Sequence, residues 1–197
     1  MKYIIMADGQ GTRWHNFGGV PKHLVEINGK TLLANVTSLV RKYDSDAEVI
    51  ITTHNEKYET EGATLYAPLN NELEIDRFTR ELIGDNTCFL YGDTYYSDEA
   101  VKQIVEAEVD DLLFFGAKTS IVGIKIHDGD VFRAHFERVR QLYVEGKIKQ
   151  CIGWQVYLSF MNLPLDEKQI KDKFVLFDDL TQNFNTPEDI EKFTANI

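Results

Sequence analysis

The sequence KYIIMADGQGTR (residues 2–13) joins a short apolar run to a loop that contains two glycines and an arginine. The apolar run, which is followed by glycine, predicts a buried strand over residues 2–7. The loop continues to GGVPKH (residues 18–23), so Arg13 and Lys22 both lie within it. Glycine lets the backbone approach a ligand closely, and successive N–H groups form a concave anion site. The stretch therefore predicts a strand followed by a phosphate-binding loop.

The rest of the chain is acidic, which makes this cationic loop stand out. The 197 residues include 32 acidic and 21 basic side chains, for a net charge of −11. Such a surface repels the phosphate backbone of nucleic acids, so we expect no nucleic-acid partner. A local pair of cations can still bind a small anion. The length predicts a single domain over residues 1–197.

Features of secretion and of membrane insertion are missing from the sequence. Cys88 and Cys151 are its two cysteines, which favours reduced thiols over a disulfide framework. The N-terminus lacks the pattern of a signal peptide, and no apolar run approaches the ~20 residues of a membrane span. We therefore expect a cytoplasmic protein without a membrane partner.

Strand and helix patterns alternate over roughly the first 110 residues. Strands are predicted over residues 2–7, 48–53, 64–66, 86–91, 111–115, 120–126 and 174–177, and helices over 31–43, 73–83, 97–107, 130–145 and from 187 onward. Residues 151–160 fit either a helix or a strand. The alternation predicts an α/β fold in three layers, with a mostly parallel open sheet and helices on both faces. Ligands of such sheets bind beyond the carboxyl ends of the strands, where the opening loop and Asp93 are expected.

The opening loop differs from two common phosphate motifs. It lacks the third glycine of the dinucleotide fingerprint, and no G-K-[ST] sequence closes it as in a Walker loop. Arg13 offers a planar fork for phosphate oxygens, and Lys22 offers a point charge. The predicted chemistry is a triphosphate held by backbone groups of residues 9–12. Arg13 and Lys22 would stabilise charge on the α-phosphate and on the departing pyrophosphate.

Three sets of residues resemble the nucleotidyltransferase superfamily. The first set is MADGQGTR (6–13), PKHL (21–24) and NGKTL (28–32); the second is FLYGD (89–93), and the third is FNTPED (184–189). The superfamily includes sugar-phosphate nucleotidylyltransferases, phosphocholine cytidylyltransferases and the molybdopterin guanylyltransferase group. This chain departs from its pattern at Asp8, where a small residue is usual, and at Thr31, where proline is usual.

The resemblance implies the Rossmann-like fold of nucleotide-diphospho-sugar transferases and a Mg²⁺-dependent reaction. An NMP would pass from an NTP, with CTP or GTP favoured, to a phosphorylated small-molecule acceptor, and pyrophosphate would leave. The acceptor would be a sugar phosphate or a similar capsule or cell-surface precursor, and a homodimer is compatible with the resemblance. The alternatives are an enzyme like molybdopterin guanylyltransferase and a non-catalytic nucleotide-binding relative.

The resemblance also implies the site residues. Arg13, Lys22 and Asp93 would be catalytic. Asp93 would bind Mg²⁺ together with Asn183, Asn185 or Asp179. The nucleotide contacts would come from Ala7, Gly9, Gln10, Gly11, Thr12, Arg13, Lys22, Asn70, Asn71 and Gly92.

Several roles stay open in the sequence. Asp8 could point away from the phosphates, cap a backbone group or contact the metal. Asn70 and Asn71 could contact the base or cap the predicted helix that follows them. Acceptor binding is expected within residues 117–173, and the aromatic side chains that could form a pocket wall, a cage for a quaternary ammonium or plain core are Tyr95, Tyr96, Trp154 and Tyr157. His23, in the loop, is expected to be exposed to solvent.

Overall fold

The computed structural model describes residues 1–9, 11, 13–14 and 17–195. These residues form eleven strands and five α-helices. The strands are β1 (Lys2–Met6), β2 (Glu26–Ile27), β3 (Lys30–Thr31), β4 (Glu48–Thr52), β5 (Thr64–Tyr66), β6 (Thr87–Tyr91), β7 (Thr94–Tyr95), β8 (Leu112–Ala117), β9 (Ser120–Ile126), β10 (Phe174–Leu176) and β11 (Gln182–Asn183). The α-helices are α1 (Leu32–Tyr43), α2 (Asp98–Glu106), α3 (Gly129–Val144), α4 (Gly153–Phe160) and α5 (Pro187–Thr194).

Seven strands form the central sheet, in the order β10-β8-β9-β6-β1-β4-β5. All of them run parallel except β9, which is antiparallel to β6 and β8. β1 lies between β4 and β6, with Ile4 aligned to Ile50 on one side and to Phe89 on the other. The first predicted strand is thus an interior strand of the sheet, and its carboxyl end opens into the glycine loop.

Alternation along β1 divides the core into two layers. Tyr3 and Ile5 pack on the side of α1 and α2, whereas Ile4 and Met6 pack on the side of α3 and α4. Successive side chains of a strand point to opposite faces, so the buried residues 3–6 of β1 need cover on both. The predicted α/β class, with a mostly parallel sheet between two helical layers, is confirmed.

Side-chain caps fix the first turns of α1 and α5. The Thr31 hydroxyl accepts a hydrogen bond from the Ala34 N–H at 3.1 Å, which caps α1. Pro187 begins α5, and the Asp189 carboxylate accepts from the backbone N–H groups of Asn185 and Thr186 at 2.8 Å each. The second cap fixes the backbone of Asn185, a predicted site residue.

The helix predicted over residues 73–83 is wrong. Two 3₁₀ turns, Glu74–Phe78 and Arg80–Leu82, occupy this segment, and Thr79 between them has a left-handed φ of 46°. The buried Asp76 carboxylate accepts from the Leu73 N–H at 2.9 Å and from the Arg140 guanidinium at 2.8 Å. These bonds to a buried carboxylate hold a compact turn that periodicity alone does not reveal.

Two further findings bear on the expectations from the sequence. Residues 151–160 contain α4, whose side chains are almost all buried in one core layer. Cys151 lies in this same layer, while Cys88 is buried in the layer on the other side of the sheet. No helix in the described part of the chain is both long enough and apolar enough to cross a lipid bilayer.

Candidate active site

A cavity of about 230 Å³ opens at the carboxyl edge of the central sheet. Its lining comes from the glycine loop, the end of β6, the turn between β8 and β9, the start of α4 and the segment before α5. Arg13, Asp93, Asn183 and Asn185 all contribute to it. Four residues spread over most of the sequence therefore meet at the edge where ligands of open α/β sheets bind.

Asp93 is held close to the end of β1 by the glycine before it. The Gly92 N–H donates to the Met6 carbonyl at 2.9 Å, and a Cβ at Gly92 would lie 2.8 Å from that same oxygen. A side chain at this position would clash with backbone, so only glycine allows the close approach. Gly92 thus positions Asp93 at the cavity.

Lys22 forms an ion pair with the Asp93 carboxylate. Its side chain is largely buried because the 3₁₀ turn Lys22–Leu24 folds inward behind the glycine loop. Burial raises the pKa of Asp93, but the charge of the Lys22 ammonium and its hydrogen bond to the carboxylate outweigh burial, so the pKa lies below its usual value. Asp93 is therefore a carboxylate at neutral pH, paired with a cation that can also bind phosphate.

Arg13 bridges the glycine loop and the segment before α5. Its guanidinium donates to the Asn185 side-chain oxygen at 2.8 Å, across 172 positions of sequence. The loop turns through Gly11, with φ of 60°, and the Trp14 N–H donates to the Gly11 carbonyl at 2.9 Å. The predicted contacts at Gln10 and Thr12 lie outside the described residues.

The remaining loop residues, Ala7 and Gly9, lie behind the cavity. Ala7 is buried, and its N–H donates to the Thr52 carbonyl at 3.1 Å. A Cβ at Gly9 would lie 3.3 Å from the Arg77 guanidinium carbon, so glycine leaves room for this arginine to line the cavity.

Asn183 and Asn185 are brought beside Asp93 by pairing between short strands. β11 pairs with β7, which places Asn183 opposite Thr94, and the Phe184 N–H donates to the Asp93 carbonyl at 2.8 Å. One carboxylate and two amide oxygens thus line the same wall. Within the described ranges, no three His, Cys, Asp or Glu side chains cluster as metal ligands. The oxygen-only donor set fits Mg²⁺, which needs few protein ligands because it keeps several waters.

Asp179 does not join this group. Its carboxylate accepts from the Ser97 hydroxyl at 2.6 Å and from the Thr181 N–H at 2.7 Å, next to the start of α2. Both oxygens are thus engaged in closing a turn, and the residue does not line the cavity. We leave Asp179 out of the site proposed below.

Asp8 caps a backbone group, one of the three roles left open by the sequence. Its carboxylate accepts from the His54 N–H at 2.8 Å and lies 2.9 Å from the His54 Nδ1. The Asn71 amide donates to the Asp8 carboxylate at 2.8 Å and to its carbonyl at 2.6 Å. Asp8 therefore ties the segment after β5 to the start of the glycine loop, which places Asn71 beside that loop.

Asn70 is directed elsewhere. Its side-chain amide donates to Asp76 at 3.1 Å, and its side-chain oxygen accepts from the Glu72 N–H at 3.2 Å. These contacts stabilise the turn before the 3₁₀ segment, in keeping with the capping alternative rather than with base contact.

The expectation that His23 is exposed is wrong. The ring is 2% exposed and its Nδ1 lies 3.1 Å from the Tyr58 hydroxyl. Burial is the main cause that lowers the pKa of His23 to about 3, so the ring is neutral. Nothing in the residue's immediate sequence distinguishes it from a solvated loop histidine.

The cavity is also lined by Tyr91, Gly153, Trp154 and Lys168. Gly153 has room only for hydrogen, since a Cβ would lie 2.5 Å from the Tyr91 hydroxyl. Burial, followed by the charge of Asp93, raises the pKa of Tyr91, so the phenol is neutral. The sequence analysis did not predict Tyr91 as a site residue, although it directly precedes Gly92-Asp93. No motif in the sequence marks Lys168 as a site residue.

The four aromatic residues considered for a cage do not form one, although the Trp154 and Tyr157 rings contact each other with centroids 6.0 Å apart. The Tyr96 hydroxyl donates to the Val122 carbonyl inside the core, and Tyr95 packs on Phe193 with ring centroids 5.0 Å apart. Tyr157 is fully buried, and its hydroxyl donates to the Asp172 carbonyl at 3.1 Å. Trp154 alone among the four lines the described cavity.

Comparison with known proteins gives no match at the level of sequence families. No model of a known protein family matches the chain, and no curated protein is found as a relative. Solved structures do match. For the three described next, the match covers almost the full length of this chain and of the solved chain.

Three of these structures illustrate the similarity. The CTP:phosphocholine cytidylyltransferase of Streptococcus pneumoniae is 14% identical with a TM-score of 0.60, and 99% of this chain covers 98% of it. A Bacillus anthracis protein assigned as a glucose-1-phosphate thymidylyltransferase is 13% identical with a TM-score of 0.67, at coverages of 100% and 94%. The inositol-1-phosphate CTP transferase of T. maritima is 11% identical with a TM-score of 0.59, at 98% and 94%. The chain therefore has the fold of the nucleotidyltransferases.

Proposed function

We propose that the protein is a Mg²⁺-dependent nucleotidylyltransferase that moves an NMP from an NTP to a phosphorylated small molecule and releases pyrophosphate. One observation carries the proposal: Arg13, Asp93, Asn183 and Asn185 line one cavity at the carboxyl edge of a sheet that has the nucleotidyltransferase fold. The cations and oxygen donors are those that a triphosphate and its metal require.

In this proposal the chain supplies positioning and charge neutralisation rather than a nucleophile. The Lys22 ammonium and the Arg13 guanidinium bind oxygens of the α-phosphate and of the departing pyrophosphate. Each already lies in hydrogen-bond contact with a residue beside the cavity, Asp93 or Asn185. A phosphate of the acceptor then attacks the α-phosphorus in line, and the bond to the β-phosphate oxygen breaks.

Asp93, Asn183 and Asn185 would hold the metal ion. Mg²⁺ bound there would neutralise charge on the phosphate oxygens. Binding of NTP with its metal replaces the contact between Lys22 and Asp93, because the ammonium gains phosphate oxygens as partners.

The base is expected beside Asn71, whose position is fixed by Asp8. Two of the three structural neighbours described above are named for CTP, which favours a cytidine nucleotide as the first substrate to test. GTP stays in the test because the sequence motifs also resemble the guanylyltransferase group.

The test incubates the protein with each NTP, Mg²⁺ and inorganic pyrophosphatase over a panel of phosphorylated acceptors. We expect phosphate release that requires one NTP and one acceptor class together. Asp93→Asn should lower turnover about a hundredfold or more, because the metal loses its carboxylate ligand. Lys30→Met is the matched control, since Lys30 is exposed and its ammonium donates to the Ser38 hydroxyl at 3.3 Å, away from the cavity.

Calorimetry with each NTP at millimolar Mg²⁺ separates the possible failures. NTP binding without transfer to any acceptor would identify a non-catalytic nucleotide-binding relative. Failure to bind any NTP would overturn the proposal as a whole.

A further inference from the structure

The indole N–H of Trp154 is a buried hydrogen-bond donor that finds no acceptor within the part of the chain that the structure describes. Trp154 is 3% exposed and lines the cavity, and its Nε1 contacts no acceptor among the described residues. A buried unpaired donor costs about 1–3 kcal/mol, so native structures seldom leave one without a reason. At the wall of a ligand cavity, an oxygen atom of the ligand is the natural missing partner.

The Trp154 ring already contacts an aromatic ring and a cation within the protein. Phe174 stacks on the Trp154 ring, with centroids 5.6 Å apart and an angle of 13° between the planes. The Lys168 ammonium lies over the Trp154 ring at 5.2 Å from its centroid. A quaternary ammonium would have to share this ring with a resident cation, and like charges at that distance repel.

Charge on this side of the cavity also favours an anion. Lys168 donates to the Thr119 carbonyl at 3.4 Å and makes no ion pair with a described carboxylate. The two carboxylates of the lining, Glu74 and Asp93, are already opposite cations: Glu74 lies 3.5 Å from Arg77, and Asp93 pairs with Lys22. The uncompensated charge next to Trp154 is therefore positive.

We infer that Trp154 and Lys168 form the acceptor subsite and select a phosphate ester rich in hydroxyl groups, a sugar or polyol phosphate, against one that carries a quaternary ammonium. The inference rests on the proposed function and names its acceptor class. The indole N–H donates to a hydroxyl or ring oxygen, and the Lys168 ammonium binds a second oxygen. The Nε1 is shielded from solvent in the free protein, so the inference requires side chains around it to shift when the ligand enters.

The two tryptophans make a direct test possible. The Trp14 Nε1 donates to the Val20 carbonyl at 2.8 Å, so this indole N–H already has an acceptor in the free protein. In a ¹H–¹⁵N spectrum, Trp154→Phe identifies the Trp154 indole signal by its loss. The protein, saturated with Mg²⁺ and a non-hydrolysable CTP or GTP analogue, is then titrated with a hexose 1-phosphate, ribitol 5-phosphate, glycerol 3-phosphate or phosphocholine.

We expect at least one hydroxyl-rich ester to move the Trp154 signal downfield while the Trp14 signal stays in place, and phosphocholine to move neither. A Trp154 signal that shifts with phosphocholine alone, or that none of the hydroxyl-rich esters moves at 50 mM, overturns the inference. Calorimetry on the same sample keeps this result apart from failure of the proposed function, since the nucleotide binds in one case and not in the other.

Kinetics on three variants tests the roles of the two residues. Trp154→Phe keeps the stacking on Phe174 but loses the N–H, and should raise the KM for the acceptor about tenfold with the KM for NTP unchanged. Lys168→Glu should weaken the hydroxyl-rich ester and raise relative activity with phosphocholine, whereas Lys30→Met should do neither. An unchanged acceptor preference in Lys168→Glu, with unfolding that matches the parent protein, would remove Lys168 from the subsite.

Discussion

Two sets of residues line the cavity, and they differ in how completely their polar groups are paired within the free protein. On the phosphate wall, formed by Arg13, Asp93, Asn183 and Asn185 with Lys22 behind Asp93, the cations already have partners inside the protein. On the acceptor wall, formed by Tyr91, Gly153, Trp154 and Lys168, an indole N–H has none among the described residues.

The difference indicates two ways of building a binding surface. The phosphate wall is assembled in advance by internal ion pairs and hydrogen bonds. In the proposed function, a triphosphate would replace these partners with its own oxygens. Preassembled charges cost little reorganisation during reaction, so this wall is expected to govern the rate. The acceptor wall is completed only by its ligand, so it is expected to govern affinity and selectivity.

The largest predicted effect compares one lysine from each wall. Lys22→Met should lower kcat about a hundredfold or more, because a buried cation beside the reacting phosphates is lost. Lys168→Met should leave kcat within a few-fold and raise the KM for the acceptor about tenfold. Steady-state kinetics with the best NTP and acceptor of the panel measures both.

Thermal unfolding must accompany this measurement, because Lys22→Met also leaves the Asp93 carboxylate without its partner. The double variant Lys22→Met with Asp93→Asn removes that unpaired charge and serves as a control for folding. If the two single lysine variants changed kcat and KM in the same proportion, the distinction between the walls would fail.

The phosphate wall could be predicted from the sequence to a greater extent than the acceptor wall. Glycines, Arg13, Lys22 and Gly92-Asp93 carry local signals, because close backbone approach and phosphate charge each require particular residue types. Trp154 and Lys168 are 14 positions apart and meet only because the fold brings α4 against β10 of the sheet, where Phe174 stacks on Trp154. Tertiary packing leaves no short motif, so their joint role could not be read locally.

A second comparison uses two histidines, His23 and His135, whose pKa values both lie below the usual value. His23 lies behind the phosphate wall, and its pKa of about 3 is far below the usual 6.5. Below pH 6.5 the His23 ring therefore binds a proton in the unfolded chain but not in the folded chain. The stability contributed by neutral His23 is full above pH 6.5 and is lost as pH falls towards 3, at up to about 1.4 kcal/mol per pH unit.

Urea unfolding at pH 6.5 and pH 5 measures this loss. Over this interval His23 accounts for about 2 kcal/mol, so His23→Gln should flatten the pH dependence by about that amount. His135 provides the match, because it contacts Ser159 of α4 at 2.9 Å, in the helix that carries Trp154. Burial, followed by the charge of Arg138, lowers the pKa of His135 as well, but the ring is less buried and His135→Gln should flatten the curve less. Equal effects would mean that the two histidines contribute equally to the pH dependence of the free energy of unfolding.

The smallest predicted effect concerns the carboxylate that the sequence offered as a metal ligand and the structure places elsewhere. Asp179→Ala removes hydrogen bonds to the Ser97 hydroxyl and the Thr181 N–H on an exposed turn, so the free energy of unfolding should fall by about 1 kcal/mol. The Mg²⁺ concentration for half-maximal turnover should stay unchanged in this variant and rise severalfold in Asn183→Ala, since Asn183 lines the phosphate wall. A raised Mg²⁺ requirement in Asp179→Ala alone would place the second metal ligand beside α2 instead. The phosphate wall would then have to rearrange when its ligand binds. Like the acceptor wall, it would be complete only with the ligand in place.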